Sequence, residues 1–515
     1  MPAVEELLNG LISGRYSVGE ILTFCSLLIF SVFAFRRLSQ WYRLSHIPGP
    51  PLAGFSRLVW LAPLGLSGQY TTWMRDINRK YGRLVRVGPK TVVTSDWRLW
   101  KRIMSARSSW TKSDRYTGFR LDPQRDHIVS TLDEREHARL RYIMQHGYSG
   151  KEVVGVEEKL DAEILSFIRL LETSYIACNK PFDFARKVQY FTTDAIAHLV
   201  FGKPFGFLET DSDVYSYIAI IEKTMPAMSF FTNFPGLLRL LRLPVLNRLL
   251  PKPTDKEGIG RLMGLAREAA AERFGPDRKV QKDMLGSFIA RGLTQPEAET
   301  QIMLQVVAGS DTSATAIRSA MLNIATNPLV LRKLQAEIDS AAPFPKVKVV
   351  DDATARNLPY LAATIRESLR WLQPTMDMSP KKAPPEGDEW DGYRLPGGTE
   401  VGWNSICVMR DPELWGDDAE QFRPERWIEA ASDSSKLRDM EYVVELNFAG
   451  GSRYQCLGRA VALMEIRKAI FELFRRYEFV VINAGKPWTS IEWNMVEQHG
   501  FWLKAYPREN SPSML

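Results

Sequence analysis

Residues 448–460 read FAGGSRYQCLGRA. Cys456 lies there between a glycine-rich run, an arginine and the start of an apolar helix. A buried structural cysteine needs no glycines around it, so this one is presented to something. Three further groupings have residue types and spacing that suit chemistry. EHARLRYIMQHGYSG (136–150) sets His137 and Arg141 at i, i+4 on one helix face. Two donors there suit a carboxylate ligand, or form an ordinary solvated basic face. VVAGSDTSAT (306–315) places Gly309 beside Asp311 and Thr312 in an otherwise apolar helix. Glycine inside a helix costs about 1 kcal/mol relative to alanine. It marks either a groove for a small polar reactant or a close helix contact, with the threonine bonded back to its own helix. TIRESLRW (364–371) sets Glu367 and Arg370 at i, i+3, and QFRPERW (421–427) adds Arg426. Such pairs usually decorate surfaces, but buried together the three would lock an irregular segment onto a helix.

Elements of two kinds must position these residues. LVRVGPKTVVT (84–94) reads as two short strands around a Gly-Pro turn, and YRLPGGTEVGW (393–403) as another such pair. Most of the remainder has helical period, clearest at 160–172, 296–326, 328–340 and 361–372. The helix carrying Gly309 opens on a Thr294/Glu297 capping box with Pro296 in its first turn and runs to Asn327-Pro328. At about 1.5 Å per residue it is on the order of 45 Å long, the width of a domain. The expected fold class is mainly α with small β-sheets, in one large folding unit.

The chain has 515 residues, 45% hydrophobic and 25% charged, with net charge +7. No basic run with interleaved aromatics marks a nucleic-acid footprint, so no nucleic-acid partner is expected. Its four cysteines, Cys25, Cys178, Cys407 and Cys456, form no CxxC and no disulfide framework. A reducing environment for the main body fits them. SVGEILTFCSLLIFSVFAF (17–35) would span roughly 28 Å as a helix, close to a bilayer core. Arg36, Arg37 and Arg43 follow it, while Glu5, Glu6 and Arg15 precede it. The positive-inside rule then keeps the downstream side in the cytosol. An uncleaved single-pass anchor is expected, with residues 1–16 lumenal. Residues 36–54, ending in IPGPPLAG, form a basic, proline-rich hinge, and 55–515 form the main body, which the resemblance described next implies to be the catalytic domain.

The order of anchor, proline hinge, HxxxR, AGSDT, ExxR, PERW and glycine-rich cysteine loop resembles the cytochrome P-450 family of haem-thiolate monooxygenases over essentially the whole chain. HGYSG, DMLGSF and SRYQCLG look like a fungal member of secondary metabolism. The resemblance implies the cytochrome P-450 fold and haem b, with Cys456 as the axial thiolate on the iron. Such a thiolate favours O–O cleavage. It also implies that Gly450 and Gly451 let the loop turn, that Phe448 shields the sulfur, and that Leu457 and Gly458 open the next helix. Arg453, His137, Arg141 and Lys381 would hold the propionates. Asp311 and Thr312 would relay protons during oxygen activation, and Glu367, Arg370 and Arg426 would be structural.

Departures from the family pattern are visible. The usual loop is FxxGxRxCxG; here Phe448 and Arg453 each lie one position further from the cysteine. Lys381 stands where an arginine is frequent, and Met409 where a histidine is. The resemblance places substrate contacts in segments 107–131, 224–238, 303–308, 375–379 and 495–499. These supply Phe230, Phe231, Phe234, Met376, Met378 and Met495, suited to a bulky lipophilic small molecule. LLRLLRLPVLNRLL (237–250) reads as a membrane-dipping segment or an ordinary amphipathic helix. No flavin or nicotinamide fingerprint is present. Electrons would come from NADPH through a separate cytochrome P-450 reductase, with cytochrome b5 as a further donor, at the endoplasmic reticulum membrane. Arg139, Arg459, Arg467 and Lys468 are candidates for the docking face. Two alternatives stand beside monooxygenation. One is a haem-thiolate isomerase or dehydratase without oxygen activation, and the other a non-catalytic membrane protein that binds haem or ligand.

Overall fold

The computed structural model describes residues 17–508 apart from 244, 277, 279 and 342–347. The expected lumenal segment 1–16 lies outside the described residues. The first helix, α1 (Val18–Arg43), opens on a capping box in which the Glu20 carboxylate accepts the Ser17 N–H at 2.8 Å. That explains an acid at the mouth of an apolar helix. Its Leu22–Arg43 stretch is long and apolar enough to cross a membrane, with mean hydropathy 1.5 and none of it buried. The helix runs through Arg36 and Arg37 to Arg43, so the first part of the expected hinge is helical.

The rest of that connector is stapled to the body. Arg86 is buried, and its guanidinium donates to five carbonyls, of Gln40, Trp41, Gly54, Gly88 and Pro89, at 2.8–3.2 Å. Two of these, of Gln40 and Trp41, lie in the last turn of α1, where intrahelical partners run out. The indole of Trp41 stacks on Phe55, centroids 5.2 Å apart. Arg86→Ala is expected to destabilise by about 3 kcal/mol, since it strips charged donors from several buried carbonyls. It should also make residues 44–58 much more sensitive to limited proteolysis. Unchanged proteolysis there would mean that the connector holds itself.

The body is helical around one extended core, with a smaller second core beside it. Its positioning helices are α2 (Glu134–Tyr148), α3 (Val156–Leu171), α4 (Phe184–Phe201), α5 (Tyr217–Asn233), α6 (Gln295–Ala325), α7 (Pro328–Ser340), α8 (Pro359–Trp371) and α9 (Arg459–Arg476). The expected capping box of α6 is formed, with the Thr294 N–H donating to Glu297 at 2.8 Å. Helix α6 crosses α4 where a Cβ on Gly309 would meet Ile196 Cγ1 at 2.7 Å. The glycine therefore serves the close helix contact.

A five-stranded sheet carries the other side of the site. Its strands are β1 (Leu84–Arg86), β2 (Thr91–Thr94), β3 (Thr111–Lys112), β4 (Lys381–Lys382) and, further along the chain, Glu400–Trp403. The 84–94 hairpin forms as read, with Val85 opposite Val93. The second expected hairpin does not. Strand β5 (Asp388–Trp390) pairs with β6 (Tyr393–Leu395), while β7 (Glu400–Trp403) joins the large sheet between β2 and β4. Residues 393–403 hold two strands, but Pro396, Gly397 and Gly398 carry the chain from one sheet to the other. The last hairpin, β8 (Thr489–Glu492) with β9 (Val496–His499), packs near α6, where Thr315 donates to Val496 O at 2.9 Å.

Candidate active site

The cysteine loop is built by backbone geometry. Ala449 and Gly451 adopt positive φ, 51° and 74°. At Gly451 the second reversal is one that glycine takes without strain. The turn brings the Cys456 N–H to Phe448 O at 2.8 Å. Helix α9 then begins at Arg459, and the backbone N–H groups of Gly458 and Arg459 point at the sulfur. Burial raises the thiol's pKa; these donors, Arg141 and Arg459 oppose it. The thiol is deep in the protein yet open to a cavity.

That cavity has a volume of about 380 Å³, within the range of small-molecule and cofactor sites. Of the residues predicted from sequence, His137, Arg141, Thr312, Lys381, Phe448, Cys456 and Gly458 line it. Gly451, Arg453 and Asp311 do not. Gly451 shapes the loop from behind. Arg453 turns outward, donating to Ser108 O and Trp110 O at 3.1 and 2.6 Å and pairing with Glu134. The longer loop explains this: two positions before the cysteine stands Tyr454, and its ring lines the cavity instead.

Part of the cavity wall is cationic. Strands β3 and β4 pair so that Lys112 and Lys381 lie directly opposite one another. Both are buried, and both ammonium groups sit within 6 Å of the Tyr116 and Tyr454 rings. Like charges opposed across a ladder repel, and burial lowers each pKa to about 7. Lys112 donates to the carbonyls of Ile128, Val129 and Thr131, and Lys381 to the Tyr116 hydroxyl. His137 is pushed down to about 3 by burial and by the same cations, so its ring is neutral and offers one N–H. The Arg141 guanidinium donates to Gln455 O and steadies the residue before the cysteine. Sequence reasoning missed Lys112, Tyr116 and Tyr454. The loop count was the one available signal for Tyr454.

Thr312 faces the cavity with its hydroxyl bonded to Ala308 O at 2.8 Å. Asp311 faces the other way. Its carboxylate accepts from Gln189 Nε2 at 2.7 Å and lies near Arg318; burial raises its pKa to about 6. Glu465, also missed, lies on the cavity wall and is raised to about 8 by burial. The substrate segments contribute unevenly. Ile128, Val129, Leu304, Ala308, Thr375 and Ser379 line the cavity, but segments 224–238 and 495–499 do not. Phe230 packs on Phe231 and Phe234, and Met376 and Met378 are buried in a separate core with Tyr70 and Met74. Met495 sits against the main core rather than in the cavity. The apolar walls come instead from residues such as Trp100, Met104, Met144, Ile196 and Leu369.

The expected structural cluster is formed. The Glu367 carboxylate accepts from Arg370 at 2.7 and 2.9 Å, from Arg426 at 3.0 Å, from the Trp427 indole at 3.0 Å and from the Arg423 N–H at 2.9 Å. Arg370 also holds Met409 O and Ala419 O. The candidate docking face is corrected. Lys468 is fully buried between Glu157 and Asp161, and Arg467 is mostly buried against Asp352. Arg139 and Arg459 remain partly exposed, each already paired with carboxylates.

These residues fit a haem. Among the described residues no three His, Cys, Asp or Glu side chains converge as a metal cage. A lone thiol in an apolar cavity suits a metal that brings its own equatorial ligands. Anionic groups beside the opposed lysines would relieve their repulsion, and the carboxylates of a haem would supply them. Comparison with known proteins agrees. Residues 47–507 match the sequence model of the family described as Cytochrome P450, and the chain belongs to that family, whose cofactor is haem b and whose members generally draw on NADPH through a reductase. It is 38% identical over 482 residues to "Cytochrome P450 monooxygenase ABA1" of Pyricularia oryzae, covering 91% of this chain and 93% of that protein. It is 36% identical to the aba1 monooxygenase of Botryotinia fuckeliana, with the same shares covered. To the cicH monooxygenase of Emericella nidulans it is 31% identical, over 90% and 93%. The protein is a cytochrome P450 monooxygenase of mainly α fold.

Proposed function

We propose that this enzyme inserts one oxygen atom from dioxygen into a lipophilic small molecule of fungal secondary metabolism. In this reading Cys456 would hold the haem iron through its thiolate, and Lys112, Lys381, Arg141 and His137 would hold its carboxylates. The observation that carries it is the cysteine thiol opening into a largely apolar cavity that the opposed Lys112 and Lys381 also line. A haem bound there supplies dioxygen reduction and oxygen transfer to a C–H bond. The chain's own residues do the rest. Gly458 and Arg459 N–H groups hold negative charge on sulfur. Trp100, Ile196 and Leu369 exclude water from the substrate. Thr312 presents its hydroxyl to the cavity, where it can pass a proton. Helix α1 anchors the protein in the endoplasmic reticulum membrane with the body in the cytosol. There a separate NADPH–cytochrome P-450 reductase, with cytochrome b5 as a further donor, supplies electrons.

The test is turnover with NADPH and reductase under heavy-isotope dioxygen. One labelled oxygen atom per product is expected. Thr312→Ala should lower product formed per NADPH roughly tenfold to a hundredfold while NADPH oxidation continues, the scale of a lost proton-transfer group. Unlabelled, rearranged product with full coupling in the variant would mean an isomerase or dehydratase. Ligand binding without NADPH use would mean a binding protein.

A further inference from the structure

A second cavity, of about 320 Å³, lies where the amino-terminal parts of α2 and α6 meet. The segment 117–133 and the short helix Pro235–Leu241, with Arg242 after it, complete its wall. Among the described residues none lines both this cavity and the one that holds Cys456.

Charged groups surround it, and nearly all are already paired. Asp126 accepts two bonds from Arg120, both at 2.7 Å. Asp133 takes the N–H groups of Arg135 and Glu136. Glu136 and Glu297 both pair with Arg139, and Arg239 pairs with Asp114. Arg242 differs. Its Nε donates to Pro123 O at 2.6 Å, and among the described residues its guanidinium meets no carboxylate. A second donor is also left over. Gln301 lines the cavity and is fully buried. Its Oε1 accepts the Ile128 N–H at 3.1 Å, which fixes the orientation of the amide, and its Nε2 has no protein partner. A buried donor in that state is costly unless something in the cavity accepts from it.

We propose that this cavity is a second binding site, for a small molecule that carries a carboxylate on an apolar body. Arg242 and Gln301 supply the donors, and a carboxylate has lone pairs for both. A dianion such as phosphate suits the site less, because Asp126, Asp133, Glu136 and Glu297 surround it with negative charge. Leu132 and Leu140 give the apolar contact.

One strip of chain joins this site to the first. Asp126 and Thr131 line the second cavity, while Ile128 and Val129 between them line the first. Gln301 holds the Ile128 N–H, and Lys112 holds the carbonyls of Ile128, Val129 and Thr131. A ligand that fixes Gln301 and Thr131 therefore fixes part of the wall of the Cys456 cavity. A ligand in that cavity then has less ordering to do and binds more tightly, and the coupling is reciprocal. The coupling rests on the haem reading of the Cys456 site; the carboxylate site does not.

The test uses the haem-loaded full chain with phenylimidazole, an azole that ligates haem iron and fills the first cavity. Naphthylacetate is the probe, followed by equilibrium dialysis, with naphthylacetamide as its uncharged counterpart. About one equivalent of the acid should bind, and the amide at least about tenfold more weakly. Arg242→Gln removes the charge. Gln301→Glu keeps the acceptor for Ile128 and puts negative charge in place of the donor. Each should weaken the acid at least about tenfold, and Arg242→Gln should bring acid and amide together. Phenylimidazole affinity, read from the haem absorption band, should rise at least about fivefold with naphthylacetate present, and the rise should be lost in both variants. No binding of the acid, equal binding of acid and amide, or binding that ignores both variants would overturn the site. Binding that leaves phenylimidazole affinity unchanged would overturn the coupling. A chain whose absorption does not answer phenylimidazole would instead overturn the reading of the Cys456 site.

Discussion

Glu367→Ala will lower the unfolding free energy by about 3–5 kcal/mol, the cost of leaving buried cations without their carboxylate. Two guanidinium groups, an indole and a backbone N–H converge on that one side chain. Glu367 and Arg370 are fully buried, and Arg426 nearly so. No solvent reaches in to replace the lost charge. The loss falls on segment 409–427, whose carbonyls Arg370 and Arg426 hold through Met409, Trp415, Ala419 and Gln421. That segment is joined to the cysteine loop through the helix Ser434–Glu445. The variant should therefore accumulate little haem-loaded protein, and its denaturant midpoint should fall. Glu367→Gln keeps the shape and an acceptor, and should lie between the two. A Glu367→Ala midpoint within about 1 kcal/mol of the parent would show that the cluster is not what holds the segment.

Cys456→Ser should have the opposite profile: a large loss of turnover with little loss of stability. The Gly458 and Arg459 N–H groups that point at the sulfur can point equally at a hydroxyl, and the loop closure through Phe448 O uses backbone alone. Stability should change by less than about 1 kcal/mol. Oxygen insertion should fall at least about a thousandfold, equivalent to ~4 kcal/mol in the barrier, because serine supplies no thiolate. Circular dichroism and product analysis on the same preparation separate the two effects.

Much of this was legible in the residues, for reasons that differ by element. Helix α6 announced itself through a capping box, a proline and a long apolar period, and the Glu367 cluster through i, i+3 spacing and a distant arginine. Register between strands remote in sequence was not legible. Nothing local distinguishes Lys112 from a surface lysine; it becomes a rim cation only because β3 pairs with β4 across some 270 residues. The same blindness made residues 393–403 look like one hairpin, when two sheets compete for its strands. Lys468 reads as a solvated cation on α9, but the acids that bury it lie on α3. Asp311 and Thr312 are adjacent letters, and only the helix's rotation shows that they face different ways. The loop's extra residue was countable, but the count did not say which way Arg453 would turn or that Tyr454 would take its position.

The central claim is that Cys456 ligates haem iron through its thiolate. The most direct measurement is the difference spectrum of the reduced, carbon-monoxide-bound protein, taken beside Cys456→Ser. A strongly red-shifted Soret band, present in the parent and lost in the variant, is the predicted result. Haem bound without that shift, or a shift that survives the substitution, would contradict it.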